Sequence, residues 1–339
     1  MNRPFPIRRA PAGTMAASAS KDTRMTNPLS RSRSTNARDP GLSGRRTVAD
    51  PALFRGNGLP TRIAVSRPRR RAFPTAALGF LCGSVAIAVA SASAPALAQS
   101  ERVIDVPTRP GVTQRLLLVP GREPVLASAI LFAGGHGGLA IDASGRVGWG
   151  RGNFLVRTRQ LFADRGITVA VVDAPSDRQQ EPWLNQFRQT REHAEDMTAV
   201  IAWLRREVRR PVWLVGTSRG TQSAGFLAHT LAPPEGADGV VLTSTILDER
   251  RGRPVSAMPV ERIAIPALVV HHRHDGCRVT PYAMAQPLVD RLTSSPRKAL
   301  VTVEGGVDRG DPCEARGHHG YAGVEERVVD EIARFVSAR

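Results

Sequence analysis

Cysteine is scarce in this 339-residue chain: three in all, Cys82, Cys277 and Cys313. A zinc site needs more ligands at close spacing, and the run His271-His272-Arg273-His274 has no paired ligand motif beside it. No metal and no cofactor is expected. Aromatic residues are also few, at 5%, and neither an acidic nor a cationic specificity pocket can be read. Acidic residues are nearly missing from the front. Residues 1–98 hold 3 Asp+Glu against 16 Lys+Arg, a net of +13, while residues 99–339 hold 27 against 31, a net of +4. The formal charge of +17 is therefore mostly a property of the front segment. The remainder lacks the basic balance that a nucleic-acid partner requires, so none is expected. After Gln99 there is no internal repeat and no low-complexity run.

The front segment has an order of its own. Arg67-Pro68-Arg69-Arg70-Arg71 is a basic n-region, Ala76 to Ala90 an apolar h-region, and Ala96-Leu97-Ala98 a small-residue cleavage site before Gln99. This order predicts a secretory signal peptide over 67–98. Its strongly apolar part is shorter than the ~20 residues that span a bilayer, so no stable membrane anchor is expected after signal removal. Leu81 precedes Cys82 where a lipoprotein signal needs a small residue. Arg70-Arg71-Ala72-Phe73 loosely resembles a twin-arginine signal, with Arg69 where Ser or Thr belongs, and the export route stays open between Sec and Tat. Residues 1–66 are rich in Arg, Pro, Ser and Gly without helical or strand period. They read either as a disordered extension or, preferably, as untranslated sequence ahead of a GTG start at Val65. The expected location is periplasmic or secreted, and there the two remaining cysteines, Cys277 and Cys313, suggest a disulfide.

Residues 99–339 suit one domain. Apolar strands are expected at 116–119, 129–133, 167–173, 212–215, 239–243, 267–271 and 299–303, and helices at 154–163, 194–208, 221–230, 281–292 and 324–336. Uninterrupted apolar strands alternating with helices predict an α/β fold: a mostly parallel sheet covered on both faces, with its site at the carboxyl ends of the strands. No insertion is long enough for a large cap domain, although 175–190 is long enough for a small lid.

Gly216-Thr217-Ser218-Arg219-Gly220 stands between an apolar strand and a helix. A serine hydroxyl becomes a useful nucleophile only on an exposed, sharp turn beside a base. The two glycines permit that turn, and the helix start offers backbone N–H groups where an oxyanion would form. Other polar candidates fall after later strands: Asp275, with Asp248 in reserve, and the neighbours His318 and His319. Asp173 and Asp177 read as loop-shaping residues, and His193 fits no catalytic position.

In these features residues 113–337 resemble the α/β-hydrolase superfamily, whose order of nucleophile, acid and histidine Ser218, Asp275 and His318/His319 would follow. The resemblance implies an α/β-hydrolase fold with little or no cap domain and a Ser-His-Asp triad. Gly317-His318-His319-Gly320-Tyr321 resembles the family's His-Gly-aromatic pattern and selects His319, with His318 held in reserve. Arg219 would give one oxyanion N–H, its side chain either solvated or reaching an acid. Gly134-Gly135-His136-Gly137-Gly138 resembles the glycine-rich oxyanion loop of esterases, with Gly135 as second donor and His136 as alternative. A Cys277–Cys313 bond would tie the acid loop to the histidine loop. The activity implied is an exported serine hydrolase acting on a small-molecule ester or related acyl bond. A peptidase, an acyltransferase, or a non-catalytic binding or scaffold protein on the same fold are the alternatives.

Overall fold

The computed structural model describes residues 100–250 and 252–338. The N-terminal extension and the signal peptide read from the sequence lie outside the described residues. Eight strands form one sheet: β1 Arg102–Pro107, β2 Thr113–Val119, β3 Ala127–Phe132, β4 Ile167–Val172, β5 Val212–Thr217, β6 Gly239–Thr243, β7 Ala267–His272 and β8 Lys298–Val303. Their spatial order is β1-β2-β4-β3-β5-β6-β7-β8. From β4 across to β8 all pairings are parallel, whereas β2 is antiparallel to both β1 and β4. β2 alone thus runs against the rest.

Both faces are covered, which is why the central strands carry no polar alternation. In β2, Leu116 and Leu118 point to one core and Leu117 and Val119 to the other; in β3, Ile130 and Phe132 oppose Ala129 and Leu131. The first core receives α3 (Arg191–Val208), α4 (Gly220–Thr230) and α5 (Ala285–Arg291). The second receives α1 (Phe154–Arg157), α2 (Arg159–Asp164) and α6 (Glu325–Ser337). α6 shows the logic at its simplest. Val328, Val329, Ile332, Ala333 and Val336 form one helical stripe and are all buried. Full burial of an aliphatic side chain of this size stabilises by ~1.5–3 kcal/mol, so Ile332→Ala would cost about 2–5 kcal/mol with its cavity.

Two expected elements differ in detail, and one strand was not expected. The helix expected over 154–163 is two short ones, broken at Thr158, whose hydroxyl donates to the Phe154 carbonyl at 2.7 Å. The helix expected over 281–292 opens as a 3₁₀ turn, Tyr282–Met284, after Pro281. β1 has no counterpart in the sequence reading, because it is an edge strand whose residues are mostly half-buried or exposed. The 175–190 segment has a 3₁₀ turn at Ser176–Arg178, then packs Leu184 and Phe187 against Ala174. Its Leu184 N–H bonds the His136 carbonyl at 3.1 Å.

Chain order sets the site. From β3 the chain crosses to β4 on one side and then returns to β5 on the other. The loops leaving β3 and β5 at this switch point therefore lie side by side, where α/β sheets place their ligands.

Candidate active site

Ser218 sits between β5 and α4 with φ +51°, a left-handed conformation that costs a non-glycine residue energy and is held only by its surroundings. Its N–H donates to the Thr243 carbonyl at 3.0 Å, and its carbonyl accepts from the Thr221 N–H and hydroxyl at 2.9 and 2.6 Å. The flanking glycines are required by contact. A Cβ on Gly216 would stand 2.6 Å from the Gly220 carbonyl oxygen, and one on Gly220 would stand 2.0 Å from that of Phe132.

His319 follows β8 in a 3₁₀ turn, His318–Gly320. Its Nδ1 lies 3.0 and 3.3 Å from the two Asp275 carboxylate oxygens. Asp275, in the turn after β7, is itself held: Oδ1 accepts from the Cys277 N–H at 3.0 Å and Oδ2 from the Thr280 hydroxyl at 2.9 Å. Nε2 of His319 is buried with no partner among the described residues. Ser218 and His319 line one cleft of about 440 Å³ with Gly134, Gly135, Trp149, Asn153 and the 309–316 loop.

Of the two neighbouring histidines only His319 meets the acid. His318 stacks on His272, ring centres 4.1 Å apart, and its Nδ1 lies 3.2 Å from the His274 carbonyl. The pattern that distinguishes them is physical. Tyr321 is fully buried and donates its hydroxyl to the Val270 carbonyl at 2.8 Å, while accepting from the Ser244 N–H at 2.9 Å. The Ser244 hydroxyl returns to the His319 carbonyl at 2.7 Å. Gly320 packs where a Cβ would come within 2.1 Å of the Ala315 carbonyl oxygen. The aromatic anchor thus fixes the residue two before it.

The glycine loop meets the elbow directly: a Cβ on Gly134 would lie 3.0 Å from Ser218 Cβ. Gly135 has φ +61° and lies against Trp149. Neither the Gly135 nor the Arg219 N–H donates to another described residue. His136 turns its ring away into a stack between Trp149 and Trp183, centres at 3.7 and 5.0 Å. Its Nδ1 accepts the Gly138 N–H at 3.1 Å, and burial, with Arg188 nearby, holds the ring below the usual histidine range. The Arg219 guanidinium makes a two-pronged pair with Glu249 at 2.6 and 3.1 Å. Asp248 is exposed and is not brought to His319. Asp173 is buried and accepts the N–H groups of Leu139, Ile141 and Ala174, so it shapes its loop as expected. Asp177 pairs with Arg109, and His193 is buried against Phe132 and Phe187.

Cys277 and Cys313 form a disulfide, which joins the turn carrying Asp275 to the loop that borders the cleft before His319. Among the described residues no cluster of three or more His, Cys, Asp or Glu is arranged to hold a metal ion. Trp149, Asn153, Thr280 and Ser244 were not singled out from the sequence. Trp149, Asn153 and Ser244 stand outside any local motif and reach the site only through the fold, whereas Thr280 lies five residues beyond Asp275.

No protein-family model and no curated protein matches this chain. Solved structures similar to it include a cold-adapted esterase from an Arctic intertidal metagenomic library, at 17% identity over 70% of this chain and 94% of that one, TM-score 0.48. Another is a dienelactone hydrolase from Anabaena variabilis, at 15% identity over 70% and 96%, TM-score 0.49. A third is a lidless α/β serine hydrolase from Xanthomonas campestris, at 16% identity over 69% and 95%, TM-score 0.44. The strand order, the reversed β2 and the strand–turn–helix elbow themselves define the fold as that of the α/β hydrolases.

Proposed function

We propose that this protein is an exported serine hydrolase that cleaves an ester or related acyl bond, with Ser218 as nucleophile, His319 as base and Asp275 as orienting acid. The observation that carries the reading is the Asp275–His319 contact at 3.0 Å, which leaves Nε2 unpartnered in the cleft that Ser218 also lines. An aspartate on Nδ1 selects the tautomer whose Nε2 carries a lone pair and stabilises the imidazolium that forms.

In this mechanism His319 Nε2 takes the Ser218 proton as Oγ attacks the carbonyl carbon. The oxygen of the tetrahedral intermediate takes the negative charge and accepts from the Arg219 N–H and from the N–H of Gly135, with His136 as the alternative donor. Collapse breaks the bond to the alcohol oxygen, which leaves with the proton from His319. Water then repeats the cycle on the acyl-enzyme, releasing the acid and restoring Ser218. The disulfide supports export, since such bonds persist in oxidising compartments. Among the described residues no helix is long and apolar enough to cross a membrane.

The test is hydrolysis of p-nitrophenyl esters from acetate to dodecanoate by wild type and Ser218→Ala. Turnover that depends on Ser218 is expected. A protein inert to all esters, amides and acyl acceptors would favour the binding or scaffold reading.

A further inference from the structure

We propose that Arg188 is a positioning residue that clamps the glycine loop so that its N–H donors face the oxyanion formed at Ser218. The proposal rests on the hydrolase reading above. Arg188 lies just before α3 and is 4% exposed. Among the described residues it has no carboxylate partner. Nη2 donates to the Ala133 carbonyl at 3.0 Å and the Gly135 carbonyl at 3.3 Å, and Nη1 to the Ser223 hydroxyl at 3.1 Å, while Nε has no partner. Burial, with Arg219 nearby, pushes the guanidinium down to about 9. A cation buried without a counter-ion is unfavourable, and an apolar side chain of similar volume would fill the space more cheaply. Its bonds show what the charge is for.

Ala133 and Gly135 bracket the Gly134–Gly135 peptide, which carries the Gly135 N–H. Two adjacent glycines leave that peptide free to rotate. Fixing the carbonyl on each side through one nitrogen removes that freedom. The Gly135 carbonyl also belongs to the peptide that carries the His136 N–H, and a cation on a carbonyl polarises its amide into a stronger donor. Both candidate donors are therefore set by Arg188. The loop closes tightly on it: a Cβ on Gly137 would stand 2.4 Å from Nη2 and 2.7 Å from Leu184 Cδ1. Preorganised donors are worth most in the transition state, so loss of the clamp acts on kcat rather than on substrate binding.

The experiment compares wild type with R188K, R188M and S223A. R188K keeps the charge, but the lysine ammonium lies one bond nearer the backbone than Nη2 and falls short of the point between the two carbonyls; S223A removes a bond that does not reach the loop. With p-nitrophenyl butyrate, kcat is expected to fall about 10²-fold in R188M and about 10-fold in R188K, with KM within about 3-fold, by analogy with the loss of a single oxyanion donor. S223A stays within about 2-fold of wild type. The inhibition constant of a trifluoromethyl ketone, which forms the tetrahedral oxyanion, should weaken in step with kcat/KM. If R188M does not fold, R188K decides, assayed below its unfolding midpoint. Wild-type kcat in folded R188K, a loss confined to KM, or an unchanged ketone affinity would overturn the proposal. A wild type that hydrolyses no ester would instead remove the function on which it rests.

Discussion

His319 meets Asp275 through Nδ1 at 3.0 Å and has no partner at Nε2. Asp275 is also held from other sides, by the Cys277 N–H and the Thr280 hydroxyl. Asp275→Asn keeps the size of the side chain but puts an N–H donor within reach of Nδ1, which favours the wrong tautomer. A fall of about 10⁴-fold in kcat is expected, as for other triads of this kind. Steady-state kinetics on the purified, folded variant checks it, and a loss below about 10-fold would remove Asp275 from the mechanism.

Tyr321 offers a separate test of how the histidine loop is held. Its hydroxyl bonds are buried, so Tyr321→Phe removes both at about 0.5–1.5 kcal/mol per bond, while the Ser244 N–H keeps its own bond to the Val270 carbonyl at 3.0 Å. Urea unfolding should show that loss, and turnover should fall with it because Ser244 also holds the His319 carbonyl. Unchanged stability would mean that the loop does not depend on this anchor.

The disulfide is placed to couple stability to geometry. Closing its loop, which contains α5 and β8, stabilises by roughly 3–4 kcal/mol on the entropic model, while both of its anchors lie in loops outside the sheet. Reduction should therefore loosen the acid turn and the cleft loop first. Esterase rate is expected to fall at lower dithiothreitol, or lower temperature, than far-UV circular dichroism. Coincident loss of both signals would show that the bridge holds the whole fold.

Two buried histidines predict a stability slope. Burial lowers His271 to about 4 and His193 to about 3. The unfolded chain, with ordinary histidines near 6.5, binds more protons between those values, so stability is full above about pH 6.5 and declines as pH falls. Thermal midpoints from pH 8 to pH 4 should drop below pH 6.5. His271→Gln should flatten part of that slope; a flat wild-type profile would mean that neither ring is buried neutral.

Strands β2 to β7 and the elbow were legible because the forces that make them are local: apolar runs largely buried on both faces, and glycines forced by contact at Gly216 and Gly220; β8, an edge strand that is mostly half-buried, still carries the largely apolar run 299–303. That His319 and not His318 meets Asp275 was legible through Tyr321, two residues on. β1 was not, since an edge strand need not bury its residues. The break at Thr158 turns on one hydroxyl. Arg188 and Trp149 were silent because their partners are brought to them by the fold: Arg188 meets Ala133, and Trp149 faces Gly135 only after the chain has folded. Thr280 is only five residues from its partner Asp275, but a lone threonine makes no pattern. Asp248 follows its strand as Asp275 does, and only the tertiary course of the two loops separates them.

The most direct measurement of the central claim is labelling of the purified protein with a fluorophosphonate, followed by peptide mass spectrometry. The account predicts one adduct, on the peptide containing Ser218, formed rapidly in wild type and absent from Ser218→Ala. No adduct on the folded wild-type protein, or an adduct on a residue other than Ser218, would contradict it.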